Sequence, residues 1–338
     1  MNDVFSGITA DEAWIKAMIH VQDKCSGDQC SRLGNMREVL HSSFRIQDPR
    51  QRWVFSRKPA INPAFAIAEV FWILNGKSCS RFLNYWNPML PKFAGTGKQY
   101  HGAYGYRIRN RFGFDQLEAA YKALKANPDS RQVVIQIWDP RIDFPATNGS
   151  PANQDIPCNI CSLLKIRNDR LEWLQIMRSN DLYRGTPYNF VQFTTMQEIL
   201  AGWLGVQMGE YLQVSDSLHV YESDRKETGI TNSTNAYRNA DDLSIPKDRS
   251  DFILQEMYSF LDTLTRKRLS KKKFHEIANL SSIESGYMNL LLIAAADSAR
   301  RRGWQEEIDV AKTRCTNSAL VYSWEQWEAR CAARHRPS

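Results

Sequence analysis

The feature that most constrains the fold is a block of strand, turn, strand, helix and strand between residues 162 and 224. Two strand-like runs, "SLLKIR" and "RLEWLQIMRS", flank the turn residues "NDR", which predicts a β-hairpin. The next run, "NFVQFTTMQEILAGWLG", is apolar on nearly all sides and predicts a long buried helix that ends at Gly205. "GEYLQVSDSLHVYESD" then returns to a strand pattern.

Three helices are predicted upstream of this block. The first, in "ITADEAWIKAMIHV", begins with a capping box in which Thr9 caps the free amides and Glu12 bonds back. The second, in "INPAFAIAEVFWILNG", has Asn62 as its cap and ends at Gly76. The third lies in "QLEAAYKALKANPDS" and ends near Asn127.

The sequence changes character from about residue 243, where the runs become helical with charged ends. No internal repeat or low-complexity linker separates the two parts. We therefore predict an α+β fold. A body of mixed sheet and helices is expected at residues 1–240, and a helical C-terminal extension at residues 241–338 is expected to pack on it.

The composition is that of a globular protein, since 43% of the 338 residues are hydrophobic and 24% are charged. No apolar run approaches the ~20 residues that span a membrane, and the N-terminus lacks the basic and apolar regions of a signal peptide. Seven irregularly spaced cysteines favour reduced thiols in a cytoplasm. The net charge of +7 favours anionic partners such as nucleotides, although solubility explains so modest a charge equally well.

The basic run "TRKRLSKKKF" in the C-terminal extension is a candidate contact for nucleic-acid phosphates. A solvated helix face is the preferred interpretation, because such runs usually need a second signature, such as an RNA-binding motif. We therefore expect neither a nucleic-acid partner nor a membrane partner.

One carboxylate interrupts an apolar helix. Glu69 lies inside "AIAEVFWIL", and burying a carboxylate costs several kcal/mol unless it is paired or hydrogen-bonded. A narrow polar stripe is the ordinary explanation for one such residue. If the stripe faces a cleft, the pKa of Glu69 rises and the residue becomes a candidate proton relay.

Three arginines are candidate phosphate ligands. Arg37, Arg131 and Arg178 each lie in a short polar segment, and the last two lie at predicted strand edges, where exposed arginines are common. Each alone is more often a surface residue, although the guanidinium fork suits a phosphate dianion. No glycine-rich phosphate loop of either common type occurs, which argues against ATP or dinucleotide binding.

Cys158 in "DIPCNIC" allows four interpretations. A metal site would need a second cysteine pair or nearby histidines, and a redox pair would need its first cysteine at a helix N-terminus rather than before a strand. Packing as a small apolar side chain is accepted for Cys161. Because Pro157 places Cys158 at a turn that enters a strand, nearby arginines would depress its pKa and make it a nucleophile.

Together these segments resemble the superfamily of thymidylate synthases and pyrimidine-nucleotide hydroxymethylases. The shared patterns are Pro-Cys before a strand, Arg-Ser-x-Asp, Gly-x-Pro-aromatic-Asn and His-x-Tyr, in that order. Upstream, "AEVFWILNG", "YHGAYGYRIR", "NMRE" and "DSRQVVIQIWDP" also match. The resemblance covers roughly residues 10–225 and does not extend to the C-terminal helices.

The resemblance implies a one-carbon transfer to a pyrimidine nucleoside monophosphate, with 5,10-methylenetetrahydrofolate as co-substrate and no metal. Cys158 would attack C6 of the ring and so make C5 nucleophilic. Glu69 and Tyr104 would manage protons at C5 and O4. Asp181 would hold the pterin ring of the folate, and Trp86 is the expected tryptophan beside it.

The resemblance also implies the nucleotide contacts. Arg178 and Ser179 would hold the phosphate, with Arg37 closing over it and Arg131 supplied by the other subunit of a homodimer. The expected contacts with the base and sugar are Asn189, His219 and Tyr221. The carboxamide of Asn189 can both donate and accept, which fits the O4/N3–H edge of uracil, whereas the other two residues would bond a sugar hydroxyl.

The sequence departs from the family pattern at several places. Asn159 follows the nucleophile where His is usual, Gln132 replaces the second of two arginines, and Arg184 replaces a common Leu. The family's C-terminal closing segment is not recognisable. Since a sealed site excludes water from reactive intermediates, the lack of the usual lid favours hydroxymethylation of C5, with water as the final nucleophile.

Three alternatives remain open at this point. A methylating synthase is the nearest, because the helical extension could supply another lid. A nucleic-acid-binding protein on the same fold is the second, although the joint presence of the Cys, Arg, Asn, His and Tyr set argues against lost catalysis. A cysteine hydrolase is the third and lacks a coherent Cys/His/Asn arrangement.

Overall fold

The protein is described by a computed structural model that covers residues 3–24, 28–31, 34–225, 229–230 and 237–333. Its strands are β1 (Val4–Gly7), β2 (Asp28–Ser31), β3 (Gly34–Ile46), β4 (Arg57–Lys58), β5 (Val134–Gln136), β6 (Asn159–Arg167), β7 (Arg170–Met177), β8 (Asn180–Asp181), β9 (Gln207–Tyr221) and β10 (Gly229–Ile230). Eight of them form one mixed sheet in the order β1-β3-β9-β7-β6-β5, with β2 beside β3 and β8 beside β9.

Helices surround this sheet and continue to the end of the described chain. They are α1 (Ala10–Lys24), α2 (Pro63–Leu74), α3 (Ser80–Trp86), α4 (Pro91–Ala94), α5 (Tyr104–Tyr106), α6 (Gln116–Ala126), α7 (Pro140–Asp143), α8 (Thr186–Leu204), α9 (Glu222–Arg225), α10 (Lys247–Leu264), α11 (Lys271–Ala278), α12 (Ser285–Arg300), α13 (Gln305–Arg314) and α14 (Ser318–Ala333). A π-helical turn, Arg107–Arg111, follows α5. The predicted α+β class is confirmed.

The predicted strand–helix–strand block forms as expected. β6 and β7 are an antiparallel hairpin whose turn residues, Asn168 and Asp169, have φ angles of 51° and 59°, the left-handed region that tight hairpin turns require. α8 then crosses to β9, which runs parallel to β7. The helix ends at Gly205, whose φ of 71° only glycine adopts without strain.

The predicted helix starts are also confirmed. The Thr9 hydroxyl accepts from the Glu12 amide at 3.1 Å, and the Glu12 carboxylate accepts from the Ile8 amide at 2.8 Å. The Asn62 side chain accepts from the Phe65 amide at 3.1 Å at the start of α2. Within the described residues, no helix combines the length and apolar character needed to cross a bilayer.

The C-terminal helices share the hydrophobic core of the sheet and its helices. α10 and α12 pack on α2, and α14 reaches the same helix. Arg301 donates to the Trp86 carbonyl at 2.9 Å, and Arg330 donates to the Ala60 carbonyl. The boundary near residue 240 stays a prediction, since the core is continuous across it.

α5 packs on the end of α2 with almost no space between their backbones. A Cβ atom at Gly105 would lie 2.3 Å from the Ile73 carbonyl oxygen. This approach brings Tyr104 close enough to Glu69 for the carboxylate to act on the phenol electrostatically. Only glycine permits it.

We predict that Gly105→Ala lowers the free energy of unfolding by about 1–3 kcal/mol, the usual cost of overpacking. Urea unfolding followed by circular dichroism measures this loss. Gly205→Ala is the matched control, because no described atom lies within 4 Å of its added methyl group and only the backbone is strained. A loss at Gly105 no larger than the loss at Gly205 would contradict the close packing.

Candidate active site

Nine of the predicted site residues line one cleft of about 710 Å³. Strand ends and helix faces bring them there from separate parts of the chain. They are Glu69, Tyr104, Cys158, Arg178, Ser179, Asp181, Asn189, His219 and Tyr221. The cleft falls within the usual size range of ligand sites, about 300–1,000 Å³.

The turn that carries Cys158 is fixed by Arg178. The Arg178 amide donates to the Cys158 carbonyl at 2.9 Å. Its guanidinium donates to the carbonyls of Pro157 and Ile156, at 2.9 and 3.0 Å. Cys158 therefore sits on a braced turn directly before β6, as predicted. Cys161 does not line the cleft and lies on β6 opposite Ile176.

The expectation of a depressed pKa for Cys158 is wrong in this structure. Burial raises the pKa of the thiol, and although Arg178 lowers it, Asp181 and Asp155 raise it further. The cost of removing the thiolate from water is larger than the stabilisation that it gains from one guanidinium. Arg178 favours the reactive form, whereas the two neighbouring carboxylates oppose it.

Glu69 faces the cleft from α2, which is the condition under which the sequence made it a candidate proton relay. Burial raises the pKa of its carboxyl group to about 7, while the hydrogen bond from Gln192 Nε2 to Glu69 Oε2, 2.5 Å long, lowers it. The carboxyl group thus changes protonation near neutral pH. Its role as a proton relay stays a prediction.

Tyr104 lies across from the nucleophile. Burial raises the pKa of its phenol, the charge of Cys158 raises it further, and interaction with the Asn159 side chain lowers it. The hydroxyl is therefore a donor rather than a phenolate at neutral pH. Tyr104 and Glu69, the two residues that the family resemblance implies manage protons, line the same cleft.

Asp181 ends β8 and is fixed by the chain that follows. Its Oδ1 accepts from the amides of Tyr183 and Arg184, at 2.9 and 2.7 Å. Burial raises the pKa of this carboxyl group, against the lowering effect of His219. β8 pairs with β9 so that Asp181 lies opposite His219.

The predicted base and sugar contacts lie on neighbouring elements of the cleft. The Asn189 amide on α8 donates to Asn180 Oδ1 at 3.4 Å. His219 and Tyr221 on β9 make an edge-to-face contact with ring centroids 5.3 Å apart. Among the described residues, Nδ1 of His219 has no hydrogen-bond partner, so the ring has capacity to bind a ligand.

Three predicted residues do not line the cleft. Arg37 on β3 donates to the Gln22 carbonyl at 2.8 Å and pairs with Glu222 at 3.2 Å. Arg131 is exposed just before β5. Trp86 is fully buried behind the cleft wall. Their contacts with substrate, partner subunit and folate stay predictions.

The structure adds cleft residues that the sequence reasoning missed. Gln192 bonds Glu69, and Tyr188 accepts from the Asn62 amide at 3.0 Å. Asp155 enters the cleft from the long segment before Cys158. Gln192 could have been predicted to line the cleft, since it lies three residues after Asn189 on the same helix face. Asp155 could not have been, because its segment is irregular.

Arg184, noted above as a departure from the family pattern, lies in the cleft wall. It forms a two-bond pair with Asp224 at 2.6 and 3.0 Å. Its guanidinium carbon lies 5.1 Å from the Tyr221 ring centroid and 5.2 Å from that of Phe93. The wall therefore carries a fixed positive charge between two aromatic rings.

Comparison with known proteins defines the class of this site. The sequence model of the thymidylate synthase family matches residues 37–263, more than half of the chain. The chain belongs to the thymidylate synthase family. The matched range includes the nine cleft residues described above.

Individual relatives within this family are similar to the chain at 34–35% identity. The chain is 34% identical over 250 residues to a deoxyuridylate hydroxymethyltransferase of Bacillus phage SP01, covering 67% of this chain and 64% of that protein. It is 35% identical over 176 residues to a protein of the same name from Pseudomonas phage M6, covering 52% and 49%. A putative thymidylate synthase of Methanothermobacter thermautotrophicus is 34% identical over 207 residues, covering 57% and 89%. The chain thus matches less than two thirds of either phage protein's length.

We predict that Glu69→Gln becomes stabilising relative to the unchanged protein as the pH rises. The folded pKa of about 7 exceeds the ordinary 4.5, so between pH 4.5 and 7 Glu69 ionises in the unfolded chain but stays protonated in the folded state, and the protein loses stability that the glutamine variant keeps. The relative gain is at most about 3 kcal/mol, at about 1.4 kcal/mol per pKa unit. Urea unfolding at pH 5 and pH 8 measures it. An unchanged difference at the two pH values refutes the raised pKa.

Proposed function

We propose that this protein transfers a one-carbon unit to C5 of a pyrimidine nucleoside 5′-monophosphate, with hydroxymethylation as the reaction and uracil as the favoured base. The observation that carries the proposal is that nine residues expected from the family resemblance line one cleft. The similarity to two phage proteins named deoxyuridylate hydroxymethyltransferase supports deoxyuridylate as the substrate. The reducing state expected of its cysteines supports a cytoplasmic enzyme, and Cys79, Cys158, Cys161 and Cys315 form no disulfide.

Cys158 supplies the nucleophile in this proposal. Its sulfur adds to C6 of the ring, and the displaced electron pair makes C5 and O4 electron-rich. Tyr104 donates a hydrogen bond towards the developing oxyanion, and Glu69, with a pKa of about 7, takes and returns protons near neutral pH. Arg178 braces the turn and favours the thiolate electrostatically.

The nucleotide contacts follow from the same cleft. Arg178 and Ser179 hold the phosphate, and Asn189 reads the uracil edge with its carboxamide. His219 and Tyr221 bond the sugar hydroxyl. Nδ1 of His219 is buried and has no partner among the described residues. A sugar hydroxyl would supply one, and an unsatisfied buried polar atom costs about 1–3 kcal/mol.

Arg37 closes over the phosphate only if it leaves Glu222. That pair is partly exposed, so exchanging it for a phosphate dianion costs little. β3 places Arg37 beside Glu38, which lies opposite His219 on β9. The residue is therefore one strand away from the proposed sugar site.

The cleft also suits methylenetetrahydrofolate. Leu90, Phe93 and Trp138 line the same cleft as Asp181 and offer apolar and aromatic surface, and a planar pterin needs both stacking surface and a hydrogen-bond acceptor. The folate supplies the one-carbon unit. Trp86 is buried and does not line the cleft, whereas Leu83 and Asn87 of the same segment do. Trp86 therefore affects the folate only through the packing of these residues.

Hydroxymethylation rather than methylation is supported by the polarity of the cleft wall. The Arg184–Asp224 pair keeps charge, and therefore hydration, at a surface open to the cleft. Water at this position favours addition to an electrophile at C5. Reductive methylation to the thymine nucleotide is the second candidate, favoured by the archaeal relative matched over 89% of its length.

The proposed enzyme is a homodimer. One face of the sheet carries half-buried apolar side chains in register across strands, with Leu174 opposite Leu212 and Ile176 opposite Val214. No described element of the chain covers these positions fully. A second copy of the sheet would bury this face, and the exposed Arg131 could then reach the partner's cleft.

We predict that Leu174→Glu converts the protein from dimer to monomer, because a carboxylate cannot be buried unpaired at the apolar centre of an interface. Sedimentation velocity measures the change. Ile19→Glu is the matched control, since this exposed isoleucine lies on α1 away from the sheet face. Monomeric unchanged protein, or equal dissociation in both variants, rules out the sheet-face dimer.

The central experiment incubates the protein with dUMP, UMP, dCMP and CMP in turn, each with methylenetetrahydrofolate, and determines the product masses. We expect a hydroxymethylated uracil nucleotide and release of tetrahydrofolate, whereas dihydrofolate indicates methylation. Cys158→Ala should lower the rate by at least 1,000-fold, on the order of losses seen when a nucleophile is removed. Cys161→Ala, three residues away and outside the cleft, should retain activity. An active Cys158→Ala variant refutes the mechanism.

A further inference from the structure

A line of buried polar side chains lies on β6 and β7, directly behind the nucleophile. The Ser162 hydroxyl donates to Gln175 Oε1 at 2.5 Å, and the Trp173 indole donates to the same oxygen at 3.3 Å. Gln175 Nε2 then donates to Asn159 Oδ1 at 2.8 Å. Asn159, Ser162 and Gln175 are all fully buried, so water does not compete for these bonds.

The direction of every bond in this line follows from Trp173. An indole nitrogen can only donate, so the Gln175 atom that it meets must be the carbonyl oxygen. The other Gln175 atom is then the amide nitrogen, and the Asn159 atom that receives it must be Oδ1. The amide Nδ2 of Asn159 is thereby fixed as a donor that points away from β7.

Nδ2 of Asn159 has no hydrogen-bond partner of normal geometry among the described residues. A buried donor left in this state is costly, and native structures usually give such an atom a role. The Tyr104 hydroxyl is the neighbouring group on which the Asn159 side chain acts. Asn159 also directly follows the proposed nucleophile in the chain.

We propose that Asn159 is a positioning residue, which donates from Nδ2 to the Tyr104 oxygen and thereby directs the Tyr104 hydroxyl hydrogen into the cleft. The inference rests on the proposed function, because the hydrogen is directed towards O4 of a bound pyrimidine. A hydroxyl has one hydrogen. Once its oxygen accepts from Asn159, that hydrogen is free to stabilise negative charge at O4 when Cys158 adds at C6.

The test measures release of deuterium from C5 of labelled dUMP in the presence of methylenetetrahydrofolate. Asn159→Leu and Tyr104→Phe should each slow release by about 10- to 100-fold, the range expected for one hydrogen bond to a developing charge. The double variant should be no slower than Tyr104→Phe alone, because Asn159 acts through the Tyr104 hydroxyl. The dissociation constant of Asn159→Leu for dUMP should stay within about twofold of the unchanged protein's, since Asn159 does not itself touch the nucleotide.

Variants of Gln175 test the direction of the line. In Gln175→Glu, measured at a pH where the new carboxyl group is ionised, the carboxylate can only accept, so Asn159 must turn its Nδ2 towards β7 and present Oδ1 to Tyr104. We expect release as slow as in Asn159→Leu. Ser162→Ala is the matched control, because it removes one bond to Gln175 and leaves the Trp173 indole in place. It should retain release within about threefold.

Two results overturn the inference. If Asn159→Leu slows release by the same factor in the Tyr104→Phe background, Asn159 does not act through Tyr104. If Gln175→Glu behaves like Ser162→Ala, the orientation of the amide is unimportant. In either case the unchanged protein still releases label and the proposed function stands. Absence of release by the unchanged protein with every pyrimidine monophosphate instead removes the proposed function, and the inference with it.

Discussion

The structure depends on the parallel pairing of β7 with β9 across the buried helix α8. A parallel pair needs a long crossover, and here that crossover consists of β8 and the whole of α8. The register that places Met177 beside Ser215 continues into β8, where Asp181 lies opposite His219. The phosphate, pterin and sugar residues of the proposed site are therefore brought together by one strand register. A slip of one residue would turn them away from the cleft.

Desolvation sets the electrostatics of the cleft. Burial raises the pKa of Glu69, Asp181 and Cys158 alike, so in the absence of ligand the site disfavours the negative forms that the chemistry uses. Such a site spends folding stability on reactivity. Arg178 counters part of this effect beside the thiol, and a bound nucleotide that excludes water and adds hydrogen-bond donors would alter the rest.

Local sequence rules predicted much of this arrangement. The Asn62 cap, the hairpin turn at Asn168 and the glycine end of α8 follow from backbone chemistry within a few residues, and all were confirmed. The apolar helix around Glu69 predicted a polar environment for its carboxylate, and the family resemblance, not the helix, indicated that this environment is the cleft. The sign of the Cys158 pKa shift was not, because it depends on carboxylates brought near by tertiary packing. The pKa of a buried group thus depends on residues that are distant in sequence and close in space.

The charged wall at Arg184 bears on the proposed choice of product. An arginine held by Asp224 and close to the rings of Phe93 and Tyr221 cannot withdraw from the cleft without losing two hydrogen bonds and two ring contacts. A guanidinium fixed in this way retains water, because its remaining N–H groups need acceptors. A hydride-transferring site benefits from a dry, apolar wall, whereas a water-adding site does not need one. The polarity of this wall is therefore the structural property that best fits hydroxymethylation.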